Sequence, residues 1–236
     1  MRQLLEGQAR RHGVALSEKQ TEQFLSYLQL IQKWQENAVR LVGSAEPAEL
    51  VGKHVSDAFS VYNCLGRCQG GKLIDIGSGA GFPGLCLKLV EPRLDVTLLE
   101  ASSRKASFLV KARAELGLRG VRVVRARAEE IAEDDGFREQ FDLATVQGVA
   151  VLPRAIQLGL PFVRIGGSLV VARGRSSRAD IETAESIGRS LGAREVIVHS
   201  GSVGNAPIRG SIMILVKVTG AGKGSRIGGS RAEGTL

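Results

Sequence analysis

LIDIGSGAGFPG, Leu73 to Gly84, is a short apolar run that ends in an acid and opens onto a glycine-rich turn. It reads as a buried parallel strand feeding a helix. Its glycines allow backbone angles closed to other residues and remove Cβ atoms where a ligand would lie against the main chain. Downstream the texture repeats: Lys72 to Ile76, Asp95 to Leu99, Val121 to Ala126 and Phe141 to Val146 are apolar runs. Segments of helical spacing separate them, Gly84 to Val90, Ser102 to Leu116 and Val151 to Leu160. Such alternation builds βαβ units and a parallel sheet, with ligands held at the carboxyl ends of the strands. After the turn Gly166-Gly167, a fifth strand is expected at Ser168 to Ala172 and a helix near Ala179 to Leu191. Strands at Arg194 to His199 and Gly210 to Val218, joined by a polar loop Ser200 to Arg209, suit an antiparallel pair closing the sheet. The expected fold class is α/β, a Rossmann-like doubly wound sheet with an antiparallel edge strand.

Upstream of the turn the chain is helical. Phe24, Leu28 and Ile31 recur at helix spacing between Ser17 and about Val42, and Ser17 with Gln20 can form a capping box. A second helix is expected from Pro47 to about Leu65, with Pro47 in its first turn. The division is therefore an N-terminal helical extension at 1–69, a main domain at 70–219 and a flexible basic tail at 220–236, rich in Gly, Ser, Lys and Arg. A chain of 236 residues with 43% hydrophobic and 24% charged residues has the balance of one ordinary folded domain with a small appendage. No apolar run reaches the ~20 residues of a membrane helix, and Met1 to Arg11 is too polar for a secretory signal, so a cytoplasmic protein without membrane contact is expected. Cys64, Cys68 and Cys86 lack paired spacing and neighbouring histidines, which predicts reduced thiols and no metal site.

Three cofactor classes compete for the glycine turn. A triphosphate-binding loop needs Lys and Ser or Thr after its last glycine, and Leu85 and Cys86 stand there instead. The spacing Gly79, Gly81, Gly84 matches the dinucleotide fingerprint and stays open as a nicotinamide reading. Against it, Asp75 with Gly77 just beyond suits a cationic ligand, because a carboxylate attracts a sulfonium or ammonium and repels a pyrophosphate. The arrangement therefore favours S-adenosylmethionine, with Asp75, Gly77, Gly79 and Gly81 at the cofactor. Glu100, at the end of the next strand, is placed to accept hydrogen bonds from a ribose diol. Glu129 by itself reads first as an ordinary acidic helix start, and accepts an adenine amine if the loop after the third strand lies against the adenine as in methyltransferases.

Taken together these residues resemble the ribosomal small-subunit methyltransferase G family, also called glucose-inhibited division protein B. The resemblance runs from about Phe24 to Val218. It rests on KWQEN at Lys33 to Asn37, KHVSDAF at Lys53 to Phe59, DIGSGAGFPG at Asp75 to Gly84, LLEASSRKASFL at Leu98 to Leu109 and RAEE at Arg127 to Glu130. It implies a class I S-adenosylmethionine methyltransferase domain behind a helical extension. The implied reaction is methyl transfer to N7 of one guanine in the decoding-region loop of 16S rRNA. By resemblance Gly77, Phe82, Ala128 and Glu129 match cofactor positions and Glu100 the acid at the ribose. The chain departs from the family pattern twice: Val146-Gln147-Gly148 replaces Ser-Arg-Ala after the fourth strand, and Arg173-Gly174 replaces Lys-Gly after the fifth. Gln147 and Arg173 are thus expected near the transfer site, Gln147 also against the cofactor. His54 is expected as a helix histidine bonded to Asp57. Arg104, Lys105 and Arg173 are the candidates for the RNA backbone, the partner being 16S rRNA or the small subunit and the protein a monomer. Two alternatives remain at this point: a ribosome-binding relative that has lost catalysis, and a nicotinamide-dependent reductase.

A formal charge of +8 and a pI near 9.8 give a field that draws polyanions. Affinity for RNA is accordingly expected to fall with salt at a log-log slope of about −0.7 to −0.9 per phosphate neutralised. Deleting 220–236 should weaken binding to all RNAs alike, because a basic tail contacts phosphates without reading bases. A filter-binding titration in which the deletion abolishes preference for one RNA, with general affinity intact, contradicts that role.

Overall fold

The computed structural model describes residues 1–36, 40–65, 70–173, 177–203 and 206–217. Asn37, Cys68, Gly174 and the tail at 220–236 lie outside them. So does the Arg173 side chain, although its backbone ends a strand. The apolar runs form one sheet of seven strands: β1 (Gly71–Ile76), β2 (Leu94–Leu99), β3 (Val121–Val124), β4 (Phe141–Gln147), β5 (Val163–Arg173), β6 (Ala193–Val203) and β7 (Ala206–Lys217). Their order is β3-β2-β1-β4-β5-β7-β6. The first five are parallel, and β7 runs antiparallel to both β5 and β6. The reversed strand therefore lies one position inside the edge, and β6 is the edge itself.

Two segments differ from the sequence expectation. The pair Gly166-Gly167 lies inside β5, where the pairing with β4 shifts register between Phe141 and Leu143. A Cβ on Gly167 would lie 2.7 Å from the Asp142 carbonyl oxygen, so the glycine permits an approach within the strand pair instead of a turn before it. The expected loop Ser200 to Arg209 is mostly strand, with Val203 paired to Ala206.

Each face of the sheet has its own apolar cluster. α5 (Gly84–Val90) and α6 (Ser103–Glu115) cover one face together with α4 (Ser56–Cys64), and α1 (Arg2–Arg11) and α2 (Glu18–Glu36) pack outside them. The short α7 (Ala128–Ile131), α8 (Leu152–Gly159) and α9 (Arg178–Ser190) cover the other. Strands buried on both faces need apolar residues on both, which is why Leu73, Ile74 and Ile76 of β1 are all buried. The capping box at the start of α2 forms as expected: the Gln20 amide donates to the Ser17 hydroxyl and the Ser17 amide to Gln20 Oε1. Phe24 and Phe59 meet edge to face at 5.8 Å, as Trp34 and Phe108 do at 5.4 Å, so the N-terminal helices share the core of the sheet. Each fully buried side chain of this size contributes about 1.5–3 kcal/mol. α1 was not expected: its residues are largely polar, and only Leu5 and Ala9 are buried. The helix expected from Pro47 is continuous but not uniform. It passes from α3 (Pro47–Glu49) through a π-helical segment, Leu50–Val55, into α4.

Asp75 fastens the sheet to the helix that follows the glycine turn. It pairs in register with Thr145 of β4, whose hydroxyl donates to Oδ1 at 2.8 Å, while the Gly84 amide at the start of α5 donates to Oδ2 at 3.2 Å. Gly84 has no substitute, because a Cβ there would lie 2.8 Å from both the Asp75 carboxylate and Leu98. Complete burial pushes the Asp75 carboxyl up to about 6 despite those hydrogen bonds. The folded state thus holds this proton to higher pH than an unfolded aspartate, and ionising it between about pH 4 and 6 subtracts stability. Asp75→Asn does not ionise. Its stability relative to wild type should therefore rise from pH 4 to 7, by up to about 3 kcal/mol. Parallel pH profiles of thermal unfolding for the two proteins are the contrary result.

Candidate active site

Six of the seven strands contribute to the wall of one groove of about 1080 Å³. Ala126 follows β3, Glu100 follows β2, Gly77 follows β1, Gln147 ends β4, and Ala172 of β5 lies beside Ile212 of β7. Strands spaced ~4.8 Å apart make this groove roughly 24 Å long. It lies over the point between β1 and β4 where the strand order reverses, the place where open α/β sheets bind ligands.

The turn after β1 is held from both sides. The Glu100 carboxylate accepts the Gly79 amide through Oε2 and the Ser102 amide through Oε1, each at 2.8 Å. This clamp ties the turn to the end of β2, and each oxygen keeps a lone pair for a ligand. From the side of the N-terminal helices, the Tyr27 hydroxyl donates to the Ala80 carbonyl at 2.7 Å. Gly79 has φ +58 and a Cβ there would meet only the Gly77 carbonyl at 3.8 Å, so its missing side chain opens space in the groove. The cradle fits a ligand laid against the main chain. A Cβ on Gly77 would lie 2.5 Å from Val149, because the loop after β4 closes onto the turn.

The opposite wall comes from the N-terminal helices. His54, on the π-helical segment, stacks on Phe82 with ring centroids 4.9 Å apart and planes 21° from parallel. Burial, assisted by neighbouring Lys53, pushes its imidazole down to about 4, so it is neutral at pH 7. Asp57 on α4 accepts Gln147 Nε2 at 3.3 Å, a bond that joins this wall to the end of β4. At the mouth, Lys53, Lys105 and Arg127 line the groove, and Arg154 donates to Glu129 Oε1 at 2.6 Å.

Gly77, Gly79, Phe82, Glu100, Lys105, Ala128, Glu129 and Gln147 therefore line one cavity. Asp75 and Gly81 are not part of its wall. Asp75 faces α5, and a Cβ on Gly81 would strike Leu85 and the Tyr27 hydroxyl, so both act on the turn from behind. Arg104 is exposed outside the groove. The expected pairing of His54 with Asp57 is replaced by the stack on Phe82 and the bond from Gln147. Tyr27, Thr145 and Lys53 were missed: in sequence Tyr27 is one more apolar position of a helix, and Thr145 one more residue of a buried strand. Among the described residues no group of three or more His, Cys, Asp or Glu is placed to hold a metal ion. None of the described helices is long and apolar enough to cross a membrane.

Comparison with known proteins agrees with this architecture. A precorrin-6Y C5,15-methyltransferase structure from Geobacter metallireducens superposes with a TM-score of 0.50 at 17% identity, covering 72% of this chain and 91% of that one. A branched-chain polyamine synthase structure from Thermus thermophilus, in complex with N4-aminopropylspermidine and 5′-methylthioadenosine, gives 0.57 at 16% identity, covering 81% and 63%. At such identities the likeness speaks for the fold alone. In sequence, the chain is 37% identical over 206 residues to the ribosomal RNA small subunit methyltransferase G of Roseiflexus castenholzii, covering 87% of each. The family model for rRNA small subunit methyltransferase G matches residues 20–208. With that match running from α2 through the glycine turn and most of the groove wall, the chain belongs to the rRNA small subunit methyltransferase G family.

Proposed function

We propose that this protein methylates N7 of a guanine in the 16S rRNA of the small ribosomal subunit, using S-adenosylmethionine. The single observation that carries the reading is the groove across the carboxyl ends of β3 to β5, with Glu100 clamping the glycine turn at one end and the helical extension walling the other. Family membership favours it over a lapsed ribosome-binding relative or a nicotinamide-dependent reductase.

When bound, the cofactor supplies a methyl group on a sulfonium. The remaining lone pairs of Glu100 suit the two ribose hydroxyls, and the backbone of Gly77 and Gly79 leaves room for the ligand beside them. Phe82 and Ala128 provide apolar contact. Glu129 can accept the adenine amine if it releases Arg154, and a half-exposed ion pair of this kind is worth only ~0–1 kcal/mol. Asp75 and Gly81 keep the turn in shape from behind. Guanine N7 has a lone pair and no proton, so no general base is required, and the neutral His54 is not needed as one. The work of the site is alignment and exclusion of water. Lys53, Lys105 and Arg127 at the mouth suit phosphates, with Arg104 and Arg173 as further backbone contacts and Gln147 at the boundary of cofactor and base. In this reading residues 1–69 are a helical extension that walls the site, 70–219 the catalytic domain and 220–236 an RNA-contacting tail.

Two measurements test this reading. Gly79→Val should remove S-adenosylmethionine binding in calorimetry and keep a cooperative unfolding transition, because the side chain enters open groove. Its left-handed backbone costs only ~1–2 kcal/mol. Gly84→Ala should instead destabilise the fold by at least that much, since its Cβ meets Asp75 and Leu98. Unchanged cofactor affinity in Gly79→Val contradicts the assignment of the turn. Mass spectrometry of rRNA from cells with and without the gene should show one N7-methylguanosine in 16S rRNA lost with the gene. An identical modification profile contradicts the reaction.

A further inference from the structure

The helical extension reaches the glycine turn through one buried side chain. Tyr27 of α2 has no exposed surface, and its hydroxyl donates to the Ala80 carbonyl at 2.7 Å. Its ring also lies 5.4 Å from that of Phe82, the groove-lining residue on which His54 stacks. The direction of the bond is fixed by chemistry. A carbonyl only accepts, and burial pushes the Tyr27 phenol well above its ordinary range, so the proton stays on it at any working pH. The helix behind Tyr27 is anchored too. Gln20 Nε2 donates to the Leu89 and Val90 carbonyls at the end of α5, at 2.8 and 3.0 Å, and Gln23 Nε2 to the Leu116 carbonyl after α6, at 2.9 Å. Tyr27 therefore bears on the turn from a fixed support.

The bond falls where the turn has most freedom. The peptide between Ala80 and Gly81 precedes a glycine at φ +98, and a peptide plane beside a glycine rotates with little steric resistance. Such a rotation would exchange the directions of the Ala80 carbonyl and the Gly81 amide. In the structure the carbonyl meets Tyr27, and the amide donates to the Ser78 carbonyl at 2.6 Å, which closes the turn. The amides before it are held by β2 and the residue after it: Gly77 and Ser78 donate to the Leu99 carbonyl and Gly79 to Glu100. We infer that Tyr27 is a positioning residue for the methyl donor: its hydroxyl holds the Ala80–Gly81 peptide in the orientation that S-adenosylmethionine requires. The helical extension then takes part in cofactor binding as well as walling the groove. Without the hydroxyl, the buried Ala80 carbonyl loses its donor and the turn relaxes by rotating that peptide. Binding must reverse the rotation, which raises the dissociation constant and leaves the transfer step unchanged. The inference rests on the placement of the cofactor at the glycine turn.

The test is calorimetry of S-adenosylmethionine binding to the full-length protein, with thermal unfolding run beside it. Tyr27→Phe, which removes one oxygen atom, should raise Kd at least about fivefold. At saturating cofactor its kcat on small-subunit particles should stay within about twofold of wild type. Phe24→Leu, on the same helix but packed against Phe59, should lower the unfolding temperature at least as far and keep Kd within about twofold. Replacing Tyr27 by 4-aminophenylalanine, which keeps a donor, should also hold Kd within about twofold. Replacing it by 4-methylphenylalanine, which fills the space without a donor, should weaken binding as Tyr27→Phe does; this pair carries the comparison if Tyr27→Phe does not fold. An unchanged Kd in the variants without a donor, or an equal loss in Phe24→Leu, overturns the inference and leaves the cofactor at the turn so long as Gly79→Val has lost binding. If Gly79→Val binds as wild type does, the placement of the cofactor fails and the inference with it.

Discussion

The structure turns on a carboxylate kept out of water. Asp75 is fully buried at the end of β1, yet its two oxygens join three parts of the molecule: its own strand, β4 through the Thr145 hydroxyl, and the first residue of α5 through the Gly84 amide. Burying a carboxyl group is costly unless its oxygens are bonded, and here the donors come from the elements that must be held together. The direction of its titration follows from the same balance, since burial outweighs the hydrogen bonds. The glycine turn between Asp75 and Gly84 is thus stretched between two fixed points. Glu100 on one side and Tyr27 on the other then decide its shape.

The N-terminal helices form one wall of the groove. They share the core of the sheet through Phe24, Phe59 and Trp34, and that packing brings the π-helical segment opposite the ends of β4 and β5. π-helical segments recur at functional sites. Here the segment presents Lys53 and His54 to the groove, and the first turn of α4 adds Asp57.

Charge is arranged by the same division. The interior of the groove holds bonded carboxylates, Glu100 and Asp57, whereas the mouth holds Lys53, Lys105, Arg127 and the pair Arg154 and Glu129. Cations at the mouth sit in water and are screened by salt, which suits attraction of a polyanion more than a fixed contact. The carboxylates inside are spared that screening and act over hydrogen-bond distances.

The sequence by itself determined the sheet, the place of the ligand groove and the family. Those depend on local signals: a two-sided apolar run for each parallel strand, glycines where the chain turns, and an acid at the end of β2. Most strand and helix limits differ by only a residue or two from expectation. The larger departures arise where strand pairing overrides a turn signal, with the distant β4 at Gly166-Gly167 and between the adjacent strands β6 and β7 at Ser200 to Arg209. What only the tertiary structure decided is which residues of the motif face the cavity. Asp75 and Gly81 read in sequence as cofactor contacts and turn out to serve packing behind the turn, because the pleat of β1 points Asp75 at α5. Tyr27 on Ala80, His54 on Phe82 and Gln147 on Asp57 join segments far apart in the chain. No spacing rule encodes such contacts, since they exist only when helices from the first 65 residues settle on the finished sheet.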